Sequence, residues 1–269
     1  MRLKSRFLFV SYLGTLLLAV PTYSQQSRAT NAQRDASAMA ILRQSIGQMG
    51  GASSTQVVDV TINGEVSQQK ATAMSSGTIQ IKMIGRDMCK VQIRDEDGQT
   101  THIVSGTRMR RIRSNEDRVM PMHASLNHHL QYVPILSNLL DISDPNLTVL
   151  LVGEESLDDK TVYHIHTEKV YPGQTPEEAA LLANLTSTDY FIDTRTFLLE
   201  KRSQRLPSLQ DARSSLLMEF RYSDYRAVAG ILIPYSLSVY VNDQKNTEIH
   251  LNSVETNTGV NPQEFEVTP

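Results

Sequence analysis

Tryptophan is absent from this sequence, and cysteine occurs once, as Cys89. A lone cysteine excludes an internal disulfide, so a folded domain must rest on its hydrophobic core. Without Trp, that core has to come from Ile, Leu, Val, Met and Tyr. Cys89 lies in Met88-Cys89-Lys90-Val91-Gln92-Ile93, and its expected role is a small buried strand residue. The motifs of common enzymes are also missing: there is no G-x-S-x-G elbow, H-E-x-x-H, C-x-x-C, P-loop or G-x-G-x-x-G. No enzymatic activity is expected, and no catalytic residue, metal or cofactor is assigned.

The chain also lacks a basic stretch. Its 26 Lys and Arg against 29 Asp and Glu give a net charge of −3. Arg108, Arg110, Arg111 and Arg113 form the one cluster, followed at once by Asn115-Glu116-Asp117, which reads as a solvated hairpin. An acidic chain of this kind is not expected to bind nucleic acid.

Long apolar runs are confined to the N-terminus. Arg2, Lys4 and Arg6 precede an apolar stretch from Phe7 to Val20. That stretch is short beside the ~20 residues of a membrane-spanning helix. Thr22-Tyr23-Ser24 then supplies small residues for cleavage. Residues 1–24 are read as a secretory signal peptide cut after about Ser24, leaving a soluble product in the periplasm or outside the cell. Losing the three leader cations moves the charge from −3 to about −6. Residues 25–34 are expected to be a loose N-terminal segment, and residues 35–269 a single domain.

What the chain does have is alternation. From Asp35 a helical stripe runs through Ala36, Met39, Ala40, Leu42, Ile46 and Met49, and Gly50-Gly51 ends it. One-faced strands follow at Val57–Ser67, Thr78–Ile84, Met88–Arg94, Thr100–Ser105 and Arg108–Arg113, with a short edge at Val119-Met120. The residues from Ala124 to Ile142 break this rhythm. They read as two short helices bent at Val133-Pro134. Strands resume at Thr148–Glu155 and Thr161–Val170. A helix within Pro172–Asn184 comes next, with Thr175 as its cap. The remaining strands are Tyr190–Asp193, Leu198–Arg205, Leu216–Tyr225, Tyr235–Val241 and Glu248–Val254. In Leu216–Tyr225, Leu216, Met218, Phe220 and Tyr222 share one face; Gly230-Ile231-Leu232-Ile233-Pro234 makes the corner into the next run. The predicted class is α+β, mainly β: a curved antiparallel sheet with short helices as lid or plug on its concave face.

Two histidine pairs have the residue type of metal ligands. His164 and His166 share a strand face, whereas His128 and His129 diverge on a helix. Neither pair comes with a third ligand in sequence, and surface imidazoles on a polar strand face are the simpler reading. The acidic pairs Glu154-Glu155 and Asp158-Asp159 stand at turns, where carboxylates are normally solvated.

The sequence resembles the periplasmic lipoprotein-carrier superfamily (LolA/LolB-like). The matching features are the leader and the first helix entering Val57–Ser67. They continue with the run from Tyr190 to Glu200, the run from Tyr222 to Pro234, and the terminal Val254–Asn257 with Phe265. The resemblance is best from about Asp189 onward. It implies an unclosed half-barrel with a helical lid and a role in outer-membrane lipoprotein or lipid trafficking. The expected client is an acyl chain or a lipidated protein, exchanged with a membrane-bound donor or acceptor. Phe220, Tyr222, Leu237, Val239, Ile249 and Leu251 are the candidate cavity wall. Leu130, Val133, Leu136 and Leu140 are the candidate lid. The alternative is a non-catalytic interaction or sensing module of the same fold, with its core filled by its own side chains.

Overall fold

Alternating segments of the chain become neighbouring strands of one antiparallel sheet. The structure is a computed structural model describing residues 32–70, 73–120, 132–136, 142–207 and 215–268. Its strands are β1 (Asp59–Gln69), β2 (Met74–Ile84), β3 (Met88–Asp95), β4 (Gly98–Ser105), β5 (Arg108–Arg113) and β6 (Glu116–Met120). They continue with β7 (Leu147–Leu157), β8 (Lys160–Lys169), β9 (Thr188–Asp193), β10 (Leu199–Pro207), β11 (Ser215–Val228), β12 (Ile231–Val241) and β13 (Gln244–Thr256). The helices are α1 (Ala36–Gln48), α2 (Gly51–Ser54) and α3 (Pro176–Thr186). Short 3-10 turns occupy Pro134–Leu136 and Pro262–Phe265.

The order across the sheet is β6-β5-β4-β3-β2-β1-β13-β12-β11-β10-β9-β8-β7. Two meanders therefore meet where β1 pairs with β13. The end strands β6 and β7 do not pair with each other, so among the described residues the sheet is an open half-barrel. This is the predicted class, built as one sheet of 13 strands.

Local chemistry explains the joints. Asn63-Gly64 is a hairpin signal in isolation, yet here it lies inside β1 at a bulge against β13. A Cβ on Gly64 would come within 2.4 Å of the His250 carbonyl oxygen, so the register there requires glycine. The β11–β12 corner is tighter than the sequence suggested. Only Ala229 and Gly230 turn, with φ of 49° and 81°, and Ile231 to Pro234 already belong to β12. Two successive positive φ values suit the right-handed twist of the flanking strands.

Helix α1 begins at Asp35, whose carboxylate accepts from the Ser37 and Ala38 amides at 2.7 and 3.1 Å. Its buried stripe is Ala38, Met39, Leu42, Ser45 and Met49; Ala36 and Ala40 point outward, correcting the predicted stripe by a rotation. Just ahead of α1, the Val149 amide donates to the Gln33 carbonyl and the Asp35 amide to the Val149 carbonyl, at 2.7 and 2.8 Å. Helix α3 carries the predicted Thr175 cap as a full capping box with Glu178. Behind the sheet, Glu264 bridges Lys82 and Lys90 at 2.8 and 2.9 Å, and Phe265 and Val267 pack on Ile103.

The expected signal peptide lies outside the described residues, as do Leu130, Leu140 and the His128-His129 pair.

Candidate functional site: the roofed face of the sheet

Period-two alternation gives each strand one side chain in two on the inner face. Cross-strand register lines these up in rows. Tyr222 stands opposite Leu237, Leu237 opposite Ile249, and Ile249 opposite Val66. One step along, Phe220 stands opposite Val239. Five of the six predicted wall residues are buried, and all six join a single core cluster, with Leu251 packed partly buried against it. The outward residues of the same hairpin follow the other phase, except that Leu216, at the start of β11, is exposed.

Short pieces roof this face. Side chains of α1 (Ala38, Met39, Leu42) and of the 132–136 segment (Val133, Ile135, Leu136) belong to the same cluster as the wall. Val133 and Leu136, the two lid candidates within the described residues, are thus buried against the wall. The predicted helix start at Pro134 takes the form of a 3-10 turn, lying against β12 and α2. Tyr132 from this segment approaches Cys89. Burial, and next to it the Cys89 sulfur, push the Tyr132 hydroxyl well above its ordinary range, and burial pushes the Cys89 thiol up to about 12. Cys89 is therefore an inert buried thiol, as expected from its strand.

A backbone contact fastens the C-terminal end of the α1 roof, as the Gln33–Val149–Asp35 pair fastens its start. The Leu232 amide donates to the Met49 carbonyl at 3.0 Å. A Cβ on Gly50 would lie 2.3 Å from the Gly230 carbonyl oxygen, and one on Gly230 would lie 2.9 Å from Ser53 Oγ. Two glycines with left-handed φ thus let the α1–α2 elbow sit directly on the β11–β12 turn.

The inner face is not uniformly apolar. Arg202 on β10 stands opposite Tyr190 on one side and Phe220 on the other. It is 5% exposed. Its Nη2 donates to Gln204 Oε1 at 2.5 Å, while Nε and Nη1 are buried without a hydrogen-bond partner. Gln204, Thr188 and Thr167, in the next row, are buried too. Sequence reasoning missed Arg202 because Leu199-Glu200-Lys201-Arg202-Ser203-Gln204-Arg205 has no apolar phase. The available signal was a polar run predicted as a strand between two strongly one-faced neighbours.

The outer face carries the charges. His164 and His166 each share a hydrogen bond with Asp189 Oδ1, at 3.0 and 2.8 Å, and His164 meets Glu155 at 2.6 Å. Lys201 pairs with Glu219 at 2.8 Å and lies over the Phe191 ring. The Asp189 carboxylate lifts His166 above its ordinary value. Burial pushes Asp189 up, and the histidine hydrogen bonds outweigh it and hold the carboxyl low. Among the described residues, no group of three or more His, Cys, Asp or Glu could hold a metal ion. The arginine cluster forms the expected hairpin, with Arg110 paired to Asp117 at 2.6 Å and Arg111 to Glu116 at 2.9 Å.

No family model and no curated protein matches the sequence. Solved structures do match in shape. A LolA superfamily protein from Nitrosomonas europaea superposes with a TM-score of 0.52 at 11% identity, covering 86% of this chain and 97% of that one. The fold here is similar to that of this LolA superfamily protein. A putative outer membrane lipoprotein-sorting protein domain from Vibrio parahaemolyticus gives 0.53 at 12% identity over 84% and 95% of the two chains. A DUF1329 family protein from Desulfovibrio piger gives 0.54 at 12% identity over 86% and 96%. The LolA-like architecture is thus shared nearly end to end with very little sequence in common.

Proposed function

We propose that this protein is a soluble envelope binder of an acyl chain or of a lipidated protein, held between the inner face of the half-barrel and its helical roof. The observation that carries the reading is the roof itself. It is made of short separate pieces, α1, α2 and the 132–136 turn, laid on a continuous apolar wall. Such pieces can part from a sheet at lower cost than a second sheet could, since each buries little surface. Phe220, Tyr222, Leu237, Val239, Ile249 and Leu251 are the wall, and Val133 and Leu136, with Leu130 and Leu140, the lid. Burying an alkyl chain contributes about 0.8 kcal/mol per CH₂, so a chain of about 16 carbons binds tightly without polar help. The LolA-like fold supports this reading, and so does the leader-like pattern of Arg2, Lys4 and Arg6 ahead of Phe7 to Val20. Binding and exchange with a membrane-bound donor or acceptor, without catalysis, is the activity we infer.

The test is direct. Protein purified from the periplasm is extracted with organic solvent and the extract is analysed by mass spectrometry, alongside titration with a fluorescent fatty acid. Near-stoichiometric lipid, or saturable binding that Leu237→Asp abolishes, is the expected outcome. No lipid and no binding would leave the alternative, an interaction module whose inner face is filled by its own side chains. That alternative has its own support, because wall and roof residues already pack in one cluster.

A further inference from the structure

Arginine is almost never buried without a partner, because its charge loses hydration and its donors lose water. Arg202 is 5% exposed, and two of its three guanidinium nitrogens have no acceptor. Among the described residues no acceptor reaches Nε or Nη1. Tyr190 and Phe220 stand opposite it on β9 and β11, and Ile165 and Val239 flank that row. Gln204 accepts from Nη2 alone. Two residues back along β10, Glu200 is engaged by Lys160 at 2.7 Å. Glu219, opposite Ser203 on the outer phase, is engaged by Lys201 at 2.8 Å. An uncompensated guanidinium thus sits in the middle of the apolar wall, beside a small polar step of Gln204, Thr188 and Thr167.

We infer that Arg202 is the head-group site of this wall, and that the ligand is an amphiphile whose single chain ends in an anionic oxygen group, a carboxylate or a phosphate. This rests on the acyl-binding reading above and narrows it to acidic lipids. The guanidinium is a rigid donor fork matched to such oxygens, and a charge-assisted hydrogen bond is strongest where water is excluded. The chain would run from Arg202 over Phe220 and Val239, or over Tyr222, Leu237 and Ile249, whose rows leave β10 in the direction of β13. A neutral lipid would fill the same wall and leave both donors unmet, which is the basis for discrimination.

The experiment compares palmitic acid, hexadecyl phosphate and hexadecan-1-ol as competitors of a neutral fluorescent probe, N-phenyl-1-naphthylamine, on the whole protein. The expected result is displacement by the two acids at concentrations about tenfold or more below the alcohol. Arg202→Met should erase that gap by weakening the two acids relative to the alcohol, and Arg202→Lys should keep part of it. Equal displacement by acid and alcohol, or a gap that survives Arg202→Met, overturns the inference and leaves acyl binding standing. Failure of every chain and of the probe to bind overturns both. Inorganic phosphate is the control for source. If it closes the gap at millimolar concentration on its own, the anion held at Arg202 is a free oxyanion and the head-group assignment falls.

Discussion

Two rows of side chains cross the same face of the same sheet, and only one of them carries a charge. Through the first meander the row is Val60, Met83, Cys89, Val104, Met109 and Met120, each opposite the next and all buried. Through the second it is Leu151, Ile165, Tyr190, Arg202, Phe220 and Val239. The first row is closed chemistry. Every group in it is satisfied by its neighbours, and sulfur and methyl groups fill the gaps. The second contains a guanidinium whose Nε and Nη1 are buried without a hydrogen-bond partner. A core that only had to be stable would have an apolar residue at 202. On the head-group reading, the first meander is scaffold and the second the half kept for a ligand, because unfavourable groups persist where function needs them.

The comparison can be broken by substitution. The largest effect should come from Met83→Ala in the scaffold row. Met83 is 1% exposed, and truncating such a residue costs about 2–5 kcal/mol, read as a lower denaturation midpoint. The same measurement on Arg202→Met should go the other way. Replacing an unsatisfied buried charge with an apolar chain of similar length should stabilise the ligand-free protein by about 1–3 kcal/mol. A loss of stability instead would mean that the guanidinium is doing structural work and the two rows are alike.

The smallest effect sharpens a different contrast, that between the inner and outer faces. His166, held by Asp189 with Glu168 nearby, has its value raised from 6.5. Its contribution to stability is fully present below 6.5 and is lost as pH rises through the raised value. Asp189, lowered from 3.8, contributes above that value and loses its contribution as pH falls through the folded one. The pair is therefore strongest between 3.8 and 6.5. Asp189→Asn should cost up to about 1 kcal/mol in that window and progressively less in alkali, since the site is partly solvated. A cost that does not change with pH would show that His166 stays neutral throughout. Arg202→Met should leave this pH profile untouched, because the cluster lies on the opposite phase of the sheet.

Much of this architecture is legible without coordinates where the chain alternates cleanly. Phe220, Tyr222, Leu237 and Val239 declare their phase by type, and a one-residue slip of the ladder would turn them all outward. Thr175, Pro176 and Glu178 announce α3 by their capping chemistry alone. The stripe of α1 is less legible. Ala36 and Ala40 are small enough to face either way, so the packing against β7 chose Ala38 and Ser45 instead. Asn63-Gly64 misleads in isolation, since its meaning as a bulge depends on β13, nearly 190 residues on in the chain at Ser253.

The amino-acid sequence alone determined the strand-rich class, the antiparallel character and the inward phase of the β11–β12 hairpin, because period and residue type are local properties of the chain. Tertiary structure decided which way the polar run of β10 faces. Its own residues express no preference, so its phase is imposed by Tyr190 and Phe220 on the strands to either side. Main-chain hydrogen bonds lock neighbouring strands to a common parity, and the strong apolar phases of β9 and β11 outweigh the cost of turning one arginine inward.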